Sequence, residues 1–291
     1  MFFHKEPFFS IIVLSDTQRY ASEHAEIFTA QIDWILQAQE KLNIRFVSHL
    51  GDIVNDNSLH AKQWQLVSKE LSKLDDSVPY GLAPGNHDAD FYDDENISYS
   101  TFNQTFPIEK FRKYEWYAGG YLGNQNSYQR VEAGQFRWLI IHLQIDPSDN
   151  VLQWADKILK QNHDTLAVIA THAFVFDDLP YRSDMAHYGG LGNAGEDMWH
   201  KLIKSNCNVR LVLSGHFHTQ TGENYLKSMN TCNQEVHQVV QNFQDLEKGG
   251  NGYLRIFQFF PTKKEIKVST YSPYLGIYKK GRKSNFTIHY S

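Results

Sequence analysis

Five apolar runs in this 291-residue chain each end in a short polar cluster, and that recurring pattern restricts the fold more than any other feature. The clusters are Asp16-Thr17-Gln18, Gly51-Asp52, Gly85-Asn86-His87-Asp88, Thr171-His172 and Gly215-His216-Phe217-His218. Phe8 to Leu14 is apolar almost without alternation, the pattern of a strand covered on both faces. Ile44 to Leu50 and Tyr80 to Ala83 predict the next two strands. Between them, Phe28, Ile32, Ile35 and Leu36 predict an amphipathic helix over 23–42, with Ser22 as N-cap and Glu23 and Glu26 in its first turn. Trp64, Val67, Leu71 and Leu74 mark a second helix. Strand–helix–strand–helix–strand implies βαβ units on a largely parallel sheet, where ligands collect beyond the carboxyl ends of the strands. The clusters occupy that position, so they read as one site.

The remaining elements follow by the same reasoning. Tyr128–Glu132 and Phe136–Leu143 read as a hairpin around Ala133-Gly134-Gln135. A helix after Asp149 places Leu152, Ala155, Ile158 and Leu159 on one face. Leu166–Ala170 and Val209–Leu213 are strands, with a short helix near Glu196–Lys204 between them. Val236–Gln241, Tyr253–Phe260 and Glu265–Tyr271 are expected as antiparallel strands. Two stretches break the rhythm. Residues 89–127 are rich in aromatics and read either as a wall or lid over the site or as a satellite hydrophobic cluster; residues 174–195 form a second long loop. With no internal repeat and no linker, residues 1–291 are expected as a single domain.

A formal net charge of −5 without a basic block argues against nucleic acid as a partner. No apolar run approaches the roughly 20 residues that span a bilayer. Met1 to Glu6 lacks a signal-peptide pattern, so the chain as given is expected to be cytoplasmic, and periplasmic or secreted if a signal has been trimmed. Cys207 and Cys232 are too few for a disulfide framework and are expected as two inert thiols.

Carboxylate, imidazole and amide donors without thiolate suit a borderline or hard divalent ion such as Mn, Fe, Zn or Co. Asp52 is the group expected to lie between two cations, since each of its oxygens can face one. Two cations about 3.5–4 Å apart clamp the attacking and leaving oxygens of an in-line displacement at phosphorus. His216 and His218 share a face if extended, which favours joint ligation. His49 and His142, inside apolar strands, are expected to be structural, and Asn55 to stand behind the ligands. Arg19, Tyr20, Tyr181, Arg182 and His187 lie in loops from which they could reach a phosphate or its substituent.

This ordered set resembles the calcineurin-like metallophosphoesterases. That family's motifs run Asp-x-His, Gly-Asp-x-x-(Asp/Asn), Gly-Asn-His-(Asp/Glu), a lone His after a strand, and Gly-His-x-His. Here they stand as Asp16-Thr17-Gln18, Gly51-Asp52-Ile53-Val54-Asn55, Gly85-Asn86-His87-Asp88, His172 and Gly215-His216-Phe217-His218. The resemblance implies an α/β fold, a four-layer α/β/β/α sandwich of two mixed sheets. It implies that Asp16, Asp52 and His218 bind a first metal, and Asp52, Asn86, His172 and His216 a second. His87 would face the substrate and Asp88 would orient it. The implied activity is phosphoester hydrolysis by a metal-bridging hydroxide, on a monoester or a diester of a small phosphorylated molecule. Gln18 departs from the family's usual His and is closest to a branch with Asp-x-Gln; its amide oxygen leans the first site toward Mn or Mg over a tight Fe or Zn site, with Mn the expected ion and Fe, Zn, Co or Mg the alternatives. A family member that keeps the scaffold as a binding module is the alternative.

Overall fold

The structure is a computed structural model that describes residues 7–55, 61–92, 97–187, 191–219 and 221–290. The terminal stretch Met1–Glu6, and residues 93–96 and 188–190 of the two long loops, lie outside the described residues.

Two mixed seven-stranded sheets carry the chain. In the first, Phe9–Leu14, Ile44–His49 and Tyr80–Leu82 run parallel. Leu254–Phe260 adds antiparallel to Phe9–Leu14, and Glu265–Ser272 follows it. Ile277–Tyr278 and Asn285–His289 both pair with Glu265–Ser272. In the second sheet, Glu235–Gln241, Val209–Ser214, Leu166–Thr171 and Phe136–Leu143 are parallel neighbours in that order. Glu223–Met229 closes one edge antiparallel; Asn126–Ala133 and Tyr117–Tyr121 close the other.

Alternation along each strand explains why the apolar runs are continuous. Phe9, Ile11 and Val13 join Trp138, Ile140, Val168, Ala170, Leu211, Leu213, Phe257 and Phe259 in the core between the sheets. Ile12 and Leu14 face the other way, onto helix residues Phe28, Ile32, Ile35, Val67 and Leu71. In the second sheet Leu139, Ile141, Ile169 and Val212 face outward onto Leu152, Ala155, Ile158, Leu159, Leu202 and Ile203. Successive side chains on a strand point to opposite faces, so a strand buried on both sides has no polar face to show. Three cores between four layers give the α/β/β/α sandwich that the motifs implied.

The fold corrects the sequence reading in four places and decides one alternative it left open. The helix expected over 23–42 is two, Gln18–Ser22 and Ala25–Ala38; Ser22 ends the first, its Oγ donating to Gln18 O at 3.0 Å. The strand Glu235–Gln241 belongs to the parallel centre of the second sheet, because it lies beside Val209–Ser214 and not beside the tail strands. Residues 97–121 pack more as a cluster than as a lid: Tyr99, Phe102, Phe106, Phe111 and Tyr117 are buried in the same core as Trp64 and Tyr80. Arg182 is no free loop arginine, as its bonds below show. Cys207 and Cys232 form a disulfide, their Cα atoms 5.6 Å apart; both lie in turns at the surface, where no strand buries the thiols.

His142 bears out its structural reading. It bridges the sheets, with Ser48 Oγ 2.9 Å from Nε2 and Gln129 Oε1 2.8 Å from Nδ1. Burial pushes its pKa down to about 3. The unfolded chain therefore binds more protons below pH 6.5, so this contribution is full above that pH and falls as the pH drops. Between pH 7 and pH 5 it is expected to remove about 2 kcal/mol of stability. Urea unfolding at the two pH values should show a shallower slope in His142→Gln; an identical slope would count against it.

Candidate metal centre

Each of the five clusters lies at the carboxyl end of a parallel strand, and the two sheets bring these ends to one edge. Asp16 follows Phe9–Leu14, Asp52 follows Ile44–His49, and Asn86 follows Tyr80–Leu82. His172 and His216 arrive from Leu166–Thr171 and Val209–Ser214 in the second sheet. The backbone is bent to present them: Asp16, Asp52 and His216 adopt left-handed conformations, with φ of 52°, 50° and 65°. Such conformations cost on the order of 1–3 kcal/mol and gather where a site demands them.

Asp52, His172 and His216 form the centre, with one ligand atom from each lying within 4.8 Å of the others. His172 Nε2 is 3.2 Å from Asp52 Oδ2 and 3.2 Å from His216 Nδ1. Its Nδ1 donates to Leu50 O at 2.7 Å, which fixes the ring and turns Nε2 inward. Asp16 Oδ1 accepts from the His216 main chain at 3.2 Å. Its Oδ2 accepts from Ser15 Oγ. The motif glycines follow from this crowding. A Cβ on Gly85 would stand 2.3 Å from Asp52 Oδ1, and one on Gly215 2.4 Å from Asp16 Oδ2.

The electrostatics are those of buried carboxylates facing imidazoles. Burial pushes Asp16 up to about 7. Burial would also raise Asp52, but the charge and hydrogen bond of His172, with His87 and His216, hold it well below the usual carboxylate range. Burial would depress His172, yet Asp52 and Asp16 keep it at about 10. Desolvation and the neighbouring His172 pull half-buried His216 down to about 3. A proton on His172 thus neutralises Asp52, the task a divalent cation would perform there. Oxygen and nitrogen donors converging without sulfur fit a hard or borderline metal.

The surrounding residues hold these groups. His87 is half-buried; its main-chain N–H donates to Asp52 Oδ1 at 3.0 Å, and its Nδ1 donates to Asn55 O at 2.6 Å. Asn55 thus acts through its carbonyl. Asp88, expected to orient the His87 ring, instead accepts from the main-chain N–H of Ile53 (2.9 Å), Val54 (3.1 Å) and Gly85 (2.8 Å). A buried carboxylate short of charge partners takes main-chain donors, and this one clamps two site loops together. His49 Nε2 lies 3.0 Å from Thr17 Oγ1, a structural role as expected.

Gln18 is buried beside Asp52. In one orientation its amide nitrogen meets Gln244 Oε1 at 2.6 Å and Asp52 Oδ2 at 3.3 Å. Turned over, the nitrogen donates to Asp16 O (2.9 Å) and Asp52 O (3.2 Å), and the oxygen takes the place beside Asp52 Oδ2. The second orientation gives the nitrogen two main-chain acceptors, requires Gln244 to turn as well, and sets the oxygens of Gln18 and Asp52 side by side. His218 is half-exposed, its Nδ1 paired with Asp245 Oδ2 at 2.7 Å.

Of the loop candidates, His187 is placed against the centre, its ring 5.1 Å from that of His216, while Tyr20 is buried with its hydroxyl accepting from Gly252 N at 3.0 Å. Arg182 is committed elsewhere: it donates to Glu196 (2.8 Å) and Ser228 (2.9 Å) and stacks on Trp199 at 4.1 Å. Tyr181 is half-exposed against Phe176, and Arg19 is exposed, its stem packed over Gly249. The sequence reading missed Asn242, Gln244 and Asp245, which touch Asp16, Gln18 and His218.

An edge of parallel-strand ends carrying this donor set defines a metallophosphoesterase fold. The calcineurin-like phosphoesterase family matches residues 9–220, and the chain belongs to that family. It is 33% identical over 271 residues to the uncharacterized protein YvnB of Bacillus subtilis (strain 168), a match covering 92% of this chain. The chain spans only 20% of that relative's length. Among solved structures, GAP50, titled the anchor in the inner membrane complex of Plasmodium, superposes with a TM-score of 0.57 at 10% identity, covering 98% of this chain and 90% of that one. A putative 5'-nucleotidase from Staphylococcus aureus gives 0.50 at 13% identity, covering 87% and 51%. At these identities the likeness shows the fold. No helix among the described residues is long and apolar enough to cross a membrane.

Proposed function

We propose that the chain is a metal-dependent phosphoester hydrolase acting on a small phosphorylated substrate. Asp16, Gln18, Asp52, Asn86, His172, His216 and His218 would hold two divalent cations, with manganese favoured, and Asp52 would be shared between them. Bound divalent metal supplies Lewis acidity toward phosphoryl oxygens and lowers the pKa of water. The chain's own residues do the rest. Asp52 fixes the main chain of His87, and Asn55 O holds His87 Nδ1, leaving Nε2 to carry a proton toward the leaving oxygen. Asp88 keeps the loops bearing Asp52 and Asn86 in register. Phe217, packed on His216 at 4.8 Å and on Phe176 at 4.4 Å, walls the site on the His216 side. The single-domain reading rests on the core that both sheets share.

The convergence of buried Asp52 and His172 with half-buried His216, two of the three in left-handed conformations, is the observation that carries this reading. The test is hydrolysis of nitrophenyl phosphate and bis(nitrophenyl) phosphate by chain loaded with Mn, Zn, Fe, Co or Mg. Activity should appear with at least one metal, vanish with EDTA and return on readdition. No turnover of either ester, with less than one equivalent of metal retained, would leave the binding-scaffold reading.

A further inference from the structure

The run Asn242-Phe243-Gln244-Asp245 leaves the strand Glu235–Gln241 at the site edge and belongs to none of the five clusters. Each of its polar side chains reaches a different residue of one group. Asn242 Nδ2 donates to Asp16 Oδ1 at 2.9 Å and to His216 O at 3.0 Å. Gln244 meets the Gln18 amide at 2.6 Å. Asp245 Oδ2 accepts from His218 Nδ1 at 2.7 Å. The run is itself fastened: Asn242 N donates to Gly222 O at 2.7 Å, Gln244 N to Asn242 Oδ1 at 3.0 Å, and Phe243 is buried against Tyr253. Asp16, Gln18 and His218 are the residues assigned to the first cation together with Asp52. In the second set, Asn86, His172 and His216, the run meets the main-chain oxygen of His216.

We infer that this tetrapeptide is the outer wall of the first cation site and sets that site's affinity and choice of ion. The inference rests on the phosphoesterase reading above. Asp245 and Gln244 are positioning residues. Asp245 holds His218 by Nδ1 and so leaves Nε2 as the atom that can face a cation. Gln244 decides which end of the Gln18 amide stands beside Asp52. When Gln244 offers its nitrogen at the 2.6 Å contact, Gln18 offers its oxygen there, and the Gln18 nitrogen goes to Asp16 O and Asp52 O. The oxygen then lies next to Asp52 Oδ2, the only orientation in which Gln18 adds a donor to the site. An amide oxygen in place of an imidazole favours a harder ion.

The test is calorimetric titration of the metal-free chain with Mn²⁺ and Zn²⁺, with metal content measured after desalting. Wild type should take two equivalents of Mn²⁺. Gln244→Leu and Asp245→Ala should keep one tight equivalent and weaken the other about 10–100-fold. Asp245→Asn, which keeps an acceptor for His218 Nδ1, should restore binding to within a few-fold of wild type. The Asp245 side chain is 51% exposed, so its variants should melt with wild type in the absence of metal even if Gln244→Leu does not. Two equivalents at wild-type affinity in both Gln244→Leu and Asp245→Ala would overturn the inference, as would equal weakening of both equivalents. A wild-type chain that takes up no cation would instead overturn the phosphoesterase reading, and this inference with it.

Discussion

Asp52→Asn is expected to remove phosphoester hydrolysis by on the order of 10³-fold or more while leaving the fold standing. Asp52 is where the two candidate cation sets meet, so the substitution weakens both, whereas a change at His216 or His218 touches one. The amide keeps the shape of the carboxylate, and the space is tight: Oδ1 faces Gly85 and the His87 main chain. It also leaves no stranded charge. His172 is protonated only because Asp52 and Asp16 outweigh its burial. With Asn at 52 burial regains the advantage and the ring goes neutral, so the large penalty of an unpaired buried ion does not arise. Loss of activity and of bound metal should therefore come with little change in circular dichroism or in the melting temperature of the metal-free chain. A kcat/KM within tenfold of wild type, at full metal loading, would remove Asp52 from the centre of the mechanism.

What the sequence makes legible here is what local pattern encodes. Asp16, Asp52, His172 and His216 are readable because each ends an apolar run, and the ends of parallel strands in one sandwich must share an edge. Asn242, Gln244 and Asp245 also follow an apolar run, but Asn, Gln and Asp after a strand look like any turn. That Asn242 lies across from Asp16, 226 positions away, is a fact of topology alone. Asp88 illustrates a different loss. Its place next to His87 suggests a partner for the ring, yet three main-chain donors compete better for a buried carboxylate. The strand Glu223–Met229 is unreadable for a third reason. It is an edge strand with partly open faces and a polar sequence, so it lacks the signal that marks the central strands. Its first residue, Glu223, nonetheless ties the two sheets together through Arg255 and Thr270.

Glu223→Ala is expected to destabilise the chain by about 3–5 kcal/mol, although Glu223 lies outside the candidate site. Glu223 stands at the start of an edge strand in the second sheet, and Arg255 lies in the middle of the first. Both are buried, and Arg255 Nη2 donates to Glu223 Oε1 at 3.0 Å. Thr270 Oγ1 reaches the same oxygen at 3.1 Å, Ser284 Oγ reaches Oε2 at 2.8 Å, and Lys279 pairs with Oε2. Arg255 also donates to Val240 O at 3.2 Å, Lys283 O at 2.8 Å and, from Nε, Thr270 Oγ1 at 3.4 Å. Burial would raise the Glu223 pKa, but Arg255 and Lys279 outweigh it and hold it low, so the carboxylate stays charged. Removing it strands the Arg255 guanidinium between the sheets; Lys279, nearer the surface, can turn to water. The cost is that of an uncompensated charge and not the net worth of the pair, and a second variant separates the two. Glu223→Leu with Arg255→Met replaces both ions by apolar volume and should recover most of the loss. Urea unfolding of the two variants should therefore rank the double substitution well above Glu223→Ala. A single substitution that costs less than about 1 kcal/mol would mean that water reaches Arg255 and that the sheets are not locked at this point.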